Sequence, residues 1–95
     1  MAKPLTEQEI QHALESLNGW KLKDDKLFKQ FKFGNFREAA AFIMRLAFEA
    51  EALQHHPELF NVYSTVTISL STHDAGDKVT SKDIDLAKAI DSIDQ

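Results

Sequence analysis

From Asn61 to Thr72 apolar and polar residues alternate, and this run constrains the fold more than any other stretch of the chain. Val62, Val66, Ile68 and Leu70 fall on one face of an extended backbone, while Tyr63, Thr65, Thr67, Ser69, Ser71 and His73 fall on the other. Successive side chains of a strand point to opposite faces, so the pattern is that of strand backbone with one face buried. The run is one strand, or two joined by a bend near Ser64. Either way it needs neighbouring strands for its backbone and a covering layer for its apolar face.

The rest of the chain supplies both. Thr6 with Glu9 has the spacing of a capping box, and Ile10, Ala13, Leu14 and Leu17 follow at helical intervals. A first helix is predicted over residues 6–17, stopped by Asn18-Gly19. Residues 20–22 and 27–33 read as two strands around a turn at residues 23–26, with Phe31 and Phe33 on one face. Asn35 with Glu38 repeats the capping logic, and a long helix is predicted over residues 36–54. Its core stripe is Phe36, Ala39, Ala40, Ile43, Leu46, Ala47, Ala50 and Leu53. Phe42, Met44 and Phe48 fall partly outside that stripe and point to a partner subunit. Pro57 disfavours helical geometry at His56, which ends the helix near the His pair. Residues 74–79 form a turn or loop. Thr80 with Asp83 caps a last helix whose Ile84, Ala87, Ile90 and Ile93 are buried. The order is αββαββα, an α+β class in which an antiparallel sheet is covered by helices on one face.

Ninety-five residues make one domain, 1–95, that buries only about two thirds of its unfolded surface, so oligomerisation is a natural aid to stability. The net charge of −4 argues against a surface that tracks nucleic-acid phosphates, and no direct nucleic-acid partner is expected. The run Lys21, Lys23, Lys26, Lys29 and Lys32, interrupted by Asp24 and Asp25, reads as a solvated strand face. Without cysteine the chain has no disulfide, thiolate zinc site or cysteine nucleophile. No apolar stretch has signal-peptide length, and none approaches the roughly 18 residues of a membrane span. A cytoplasmic protein is expected.

Three of the four histidines, His55, His56 and His73, lie within nineteen residues, at a helix end and a strand end. Element termini present functional groups on a rigid scaffold, and imidazole, with an ordinary pKa of about 6.5, moves protons both ways near neutrality. Glu51 lies one helical turn before His55 and is placed to face it. From spacing alone, a plain helix terminus and a turn-capping His73 remain open. His12 belongs to the polar side of the first helix. With Glu51, Asp74 or Asp77 the three histidines have the donor types of a divalent-metal site. Against that, no His pair has i, i+4 spacing, and adjacent His55 and His56 diverge on any regular element. Ser69 and Ser71 share a strand face with His73 without making a nucleophile–base pair. No glycine-rich phosphate loop is present.

The segment from Glu51 through His55-His56-Pro57 to Asn61-Val62-Tyr63 resembles the pterin-4a-carbinolamine dehydratases, also known as dimerisation cofactors of a liver homeodomain transcription factor. The likeness continues through Val66, Ile68, Leu70, Ser71-Thr72-His73-Asp74 and Asp83-Ile84, and upstream through Gly19-Trp20 and Phe28-Lys29-Gln30-Phe31. It implies a four-stranded antiparallel sheet with helices on one face, assembled as homodimers or homotetramers. It also implies a pterin site without metal or cofactor, with His55, His56 and His73 as catalytic and substrate-binding residues and Glu51 as a supporting carboxylate. Gln54, Pro57, Ser71, Thr72 and Asp74 match positions lining the pocket. Many relatives have an acidic residue at the place of Gln54 and an aromatic at that of Leu59. The loop from Gly76 to Thr80 is longer by one residue than the family's shorter pattern.

The implied reaction is dehydration of a 4a-hydroxytetrahydropterin, such as 4a-hydroxytetrahydrobiopterin, to quinonoid dihydropterin and water in tetrahydrobiopterin recycling. His73 is the expected acid, His55 the base, and His56 the residue that orients the substrate. Two other readings compete. One is a non-catalytic module that stabilises dimers of a transcription factor through Phe42, Met44 and Phe48. The other is a related dehydratase of another pterin-dependent pathway, such as molybdopterin metabolism.

Overall fold

A computed structural model describes residues 2–93. The elements are α1 (Glu7–Glu15), β1 (Lys21–Lys23), β2 (Lys26–Lys32), α2 (Phe36–Ala52), β3 (Glu58–Val62), β4 (Thr65–Leu70) and α3 (Ser81–Asp91), with a 3-10 turn at His73–Ala75 before α3. The expected αββαββα order is therefore observed. Two of the three predicted capping boxes form: Thr6 with Glu9 starts α1, and Thr80 with Asp83 starts α3. At α2 the Asn35 side chain accepts from the Glu38 amide, but the Glu38 carboxylate reaches one residue further back, to the Gly34 N–H. The β1–β2 hairpin closes through Asp24 and Asp25, with φ of 53° and 64°. Two consecutive left-handed residues are what a two-residue hairpin needs to match strand twist.

The four strands form one antiparallel sheet in the order β1-β2-β4-β3. Leu27 lies opposite Leu70 and Phe31 opposite Val66, so β2 and β4 share one buried face with Ile68. The alternating run breaks into two strands at Tyr63-Ser64, and this corrects the face assigned to Val62. In the hairpin Val62 pairs with Thr65, and cross-strand partners share a face. Val62 therefore joins the polar side of β4 and is 56% exposed.

The helices cover the Leu27–Leu70 face. From α2 the buried residues are Ala39, Phe42, Leu46 and Ala50. The predicted stripe was thus partly out of phase. Phe42 is core rather than a subunit-facing residue: its ring lies 4.8 Å from Phe31 and 5.0 Å from Phe33. Phe36, the first residue of α2, and Leu53, its C-cap, are exposed. Ala40 and Ala47 are exposed too, and with Met44 and Phe48 they make a second, uncovered apolar ridge on α2. From α3, Ile84, Leu86, Ala87 and Ile90 are buried, and Ile93 follows just beyond it.

Lys29 departs from the solvated lysine row. It occupies the covered face of β2, and its Nζ donates to Asp91 Oδ1 at 2.8 Å and to the Asn18 carbonyl at 2.5 Å. Asp91 also accepts from Trp20 Nε1. The end of α3 is thereby tied to β2 and to the turn after α1.

Candidate active site

The site begins at the C-terminus of α2. The His55 amide donates to the Ala50 carbonyl and the Gln54 amide to the Glu51 carbonyl, both at 3.1 Å. This is the paired closure of a Schellman motif, which requires a left-handed residue just past the helix. Glycine usually fills that place. Here it is Gln54, with φ of 53° and its side-chain amide donating to the Glu51 carbonyl at 3.0 Å. The reversal separates the adjacent histidines, turning His55 into the protein and leaving His56 outside.

His55 is 9% exposed, and its Nε2 lies 2.5 Å from Asp83 Oδ1. Asp83 is fully buried near the start of α3. Its second oxygen accepts from Thr72 Oγ1 and from the Thr80 amide, each at 2.9 Å. Thr72 and Thr80 hydroxyls are 2.6 Å apart, and Thr80 Oγ1 accepts the Lys82 amide. The hydrogen bonds therefore run one way: Lys82 N–H to Thr80, Thr80 hydroxyl to Thr72, Thr72 hydroxyl to Asp83. The carboxylate can only accept, so His55 presents N–H at Nε2. Among the described residues its Nδ1 has no hydrogen-bond partner, and no side-chain nitrogen or oxygen is both buried and unpaired. Nδ1 is consequently not sealed off from its surroundings.

The other two histidines are differently held. His56 Nε2 lies 2.9 Å from Glu51 Oε1, with both side chains largely exposed. This corrects the expected partnership: Glu51 serves His56, and the carboxylate behind His55 is Asp83. His73 opens the 3-10 turn. The isolated bridge between Thr72 and Lys78 closes the loop behind it, and Gly76 and Asp77 take φ of 76° and 61°. That curl brings Asp77 Oδ1 to 3.1 Å from His73 Nδ1, while the His73 side chain stays 93% exposed.

A cavity of about 300 Å³ brings all three histidines together with Gln54, Ser71, Thr72 and Asp74. Of the remaining predicted residues, Glu51 stands behind His56, and Pro57 is half-buried in the chain leaving the pair. Asp83 and Lys82 were not predicted for the site. The Thr80–Asp83 capping spacing placed Asp83 at a helix start but carried no sign of its second contact. Lys82 also lines the cavity. His12 projects into solvent from α1.

A separate cavity of about 350 Å³ lies under the N-terminal segment, between Leu5, Ile10, Leu22 and Val79. It contains no histidine, and Asp25 and Lys78 at its edge already pair at 2.8 Å. Among the described residues no group of three or more His, Asp or Glu is arranged to hold a metal ion.

Residues 3–93 match the family described as Pterin 4 alpha carbinolamine dehydratase. The chain belongs to this family. A protein of Opitutus terrae assigned as a pterin-4-alpha-carbinolamine dehydratase is 55% identical over 94% of this chain and 92% of its own length. One from Christiangramia forsetii, similarly assigned, is 50% identical over 98% and 95%. Among solved structures, a transcriptional coactivator/pterin dehydratase from Brucella melitensis superposes with a TM-score of 0.90. It is 39% identical, and the match covers 95% of this chain and 97% of that one. A pterin dehydratase-like protein described as a RuBisCO assembly factor in the alpha-carboxysome is more distant, at a TM-score of 0.66 and 26% identity over 79% and 88%. The α+β fold with its four-stranded antiparallel sheet and the dehydratase class are those expected of a pterin-4-alpha-carbinolamine dehydratase. No helix among the described residues is long and apolar enough to cross a membrane.

Proposed function

We propose that this chain dehydrates a 4a-hydroxytetrahydropterin, with 4a-hydroxytetrahydrobiopterin as the reference substrate, to quinonoid dihydropterin and water. One observation carries the reading: a single cavity holds all three histidines, and one of them is fixed from behind by a buried carboxylate. His73, protonated, donates to the 4a-hydroxyl as the bond from C4a to oxygen breaks and water departs with the electron pair. His55 removes the N5 proton through Nδ1, and the freed electrons form the C4a–N5 double bond. One proton is given, one is taken, and nothing is oxidised or reduced.

The partner geometry supports this division. A protonated His73 can donate from Nδ1 to Asp77 and from its other nitrogen to the leaving group. His55 donates from Nε2 to Asp83, which leaves Nδ1 as its acceptor. Each proton transfer is typically worth about 10²- to 10⁴-fold in rate. His56, held by Glu51, orients the ring, and Gln54, Pro57, Ser71, Thr72 and Asp74 complete the pocket. Tetrahydrobiopterin recycling in the cytoplasm and assembly as a homodimer or homotetramer belong to the same reading. The uncovered Met44 and Phe48 ridge supports the assembly. The transcription-factor module loses one of its three surface residues, because Phe42 is buried.

The test follows the ultraviolet absorbance of freshly generated 4a-hydroxytetrahydropterin with chelator present. Accelerated loss with wild type, slowed by about 10²- to 10⁴-fold in His73→Ala, is expected. Folded wild type without any acceleration would overturn the assignment, and activity lost only on chelation would point to a metal.

A further inference from the structure

The charged groups around the cavity are nearly all spoken for. Glu51 pairs with His56, Asp77 with His73 and Asp83 with His55. Two charged side chains of the lining have no ion-pair partner among the described residues: Asp74 and Lys82. Lys82 is exposed, whereas His55 is buried, so the lysine stands at the mouth and the histidine at the floor. The Lys82 backbone is anchored by its amide N–H, which donates to Thr80 Oγ1 at 3.2 Å. Its ammonium is left as a mobile point charge on a fixed base, a form suited to an anionic oxygen group rather than to planar recognition.

On the dehydratase reading, N5 of the pterin must meet the floor at His55. The substituent on C6, the ring atom next to N5, then has the open mouth as its way out. We propose that Lys82 is a specificity-determining residue that recognises an anionic oxygen group, phosphate or carboxylate, on the pterin's 6-substituent. Asp74 shares the rim with the opposite charge and tempers that preference.

The experiment compares kcat/KM for three 4a-hydroxytetrahydropterins: one with a neutral 6-hydroxymethyl group, its phosphate ester, and the 6-carboxylate. Wild type is expected to favour one or both anionic forms, less so as salt is raised. Lys82→Gln should reduce the anionic-to-neutral ratio by about fivefold, the scale of a single partly exposed charge pair, through KM rather than kcat. Lys82→Arg should restore the ratio, and Asp74→Asn should increase it. A phosphate-only preference assigns a phosphorylated tail, and a preference for both assigns any anion. A ratio unchanged in Lys82→Gln, or wild type that turns over the neutral pterin with no anionic preference, overturns the proposal and leaves the dehydratase reading intact. Folded wild type that turns over none of the three overturns both.

Discussion

His55 and His73 line one cavity, yet their surroundings are opposite. His55 is sunk at the end of α2 against a carboxylate that is itself held by Thr72 and Thr80. The His73 side chain stands in solvent, and among the described residues its one hydrogen bond is to Asp77 in its own loop. A buried carboxylate is stable only when its oxygens have donors, and a network that satisfies them is hard to perturb without a large cost. An exposed pair is screened by water and salt and constrains little. The floor of the site is thus pre-oriented, while the rim can adjust to what enters.

The strongest way to break this contrast is to remove each histidine in turn. His55→Ala and His73→Ala should each lower kcat by about 10²- to 10⁴-fold. Their stabilities should separate. His55→Ala leaves the buried Asp83 carboxylate without the N–H donor of His55 and should cost roughly 3 kcal/mol, whereas His73→Ala should cost less than about 0.5 kcal/mol. Urea denaturation beside the absorbance assay reads both, and equal stability losses would erase the floor-and-rim distinction.

Next comes Asp83→Asn, which keeps the shape but presents an N–H where a carboxylate accepted. His55 would then be driven toward the other tautomer, with its free lone pair turned away from the cavity. A fall in kcat of roughly 10²-fold with KM nearly kept is expected, on the scale of losing one positioned base. A variant with normal kcat removes Asp83 from the mechanism and leaves it as a helix cap.

Gln54→Gly is expected to be milder and opposite in sign. Glycine takes the left-handed conformation without a side-chain penalty, so the unfolding free energy should rise by roughly 1 kcal/mol. Loss of stability instead would show that the Gln54 amide contact to Glu51 outweighs the backbone strain.

The smallest effect belongs to the exposed Lys26–Glu58 pair, the surface counterpart of His55–Asp83. The hydrogen bond to Glu58 raises the Lys26 pKa above its ordinary 10.5. A raised lysine contributes stability that is fully present below its unfolded pKa and lost as pH rises through the folded value. Wild type and Lys26→Met should therefore differ slightly at pH 7 and converge as pH rises past the raised value. A difference that grows above pH 10.5 contradicts the pairing.

Much of this was legible in the residues. The Thr6–Glu9 and Thr80–Asp83 boxes placed two helix starts because a cap is a local bond between groups three residues apart. The His-His-Pro and Ser-Thr-His elements marked the site because their residue types and order are specific. The errors were of phase and partner. Phe42 and Phe36 were assigned to the wrong sides of α2, since several apolar residues around one helix admit more than one stripe. Val62 was placed on the wrong face, since a two-residue turn changes which residues share a side. Asp83 was read as a cap and as part of the family resemblance but not as the partner of His55, because a bond across 28 positions leaves no trace in spacing.

The amino-acid sequence by itself determined the order of elements, the α+β class and the three histidines, because caps, periodicity and signature motifs are encoded over a few neighbouring residues. Tertiary structure alone decided which carboxylate stands behind which histidine, which apolar ridge of α2 is left uncovered, and that Lys82 reaches the same cavity. Those facts depend on how α2, β4 and α3 converge, and convergence is set by packing of the whole core rather than by any local stretch of chain.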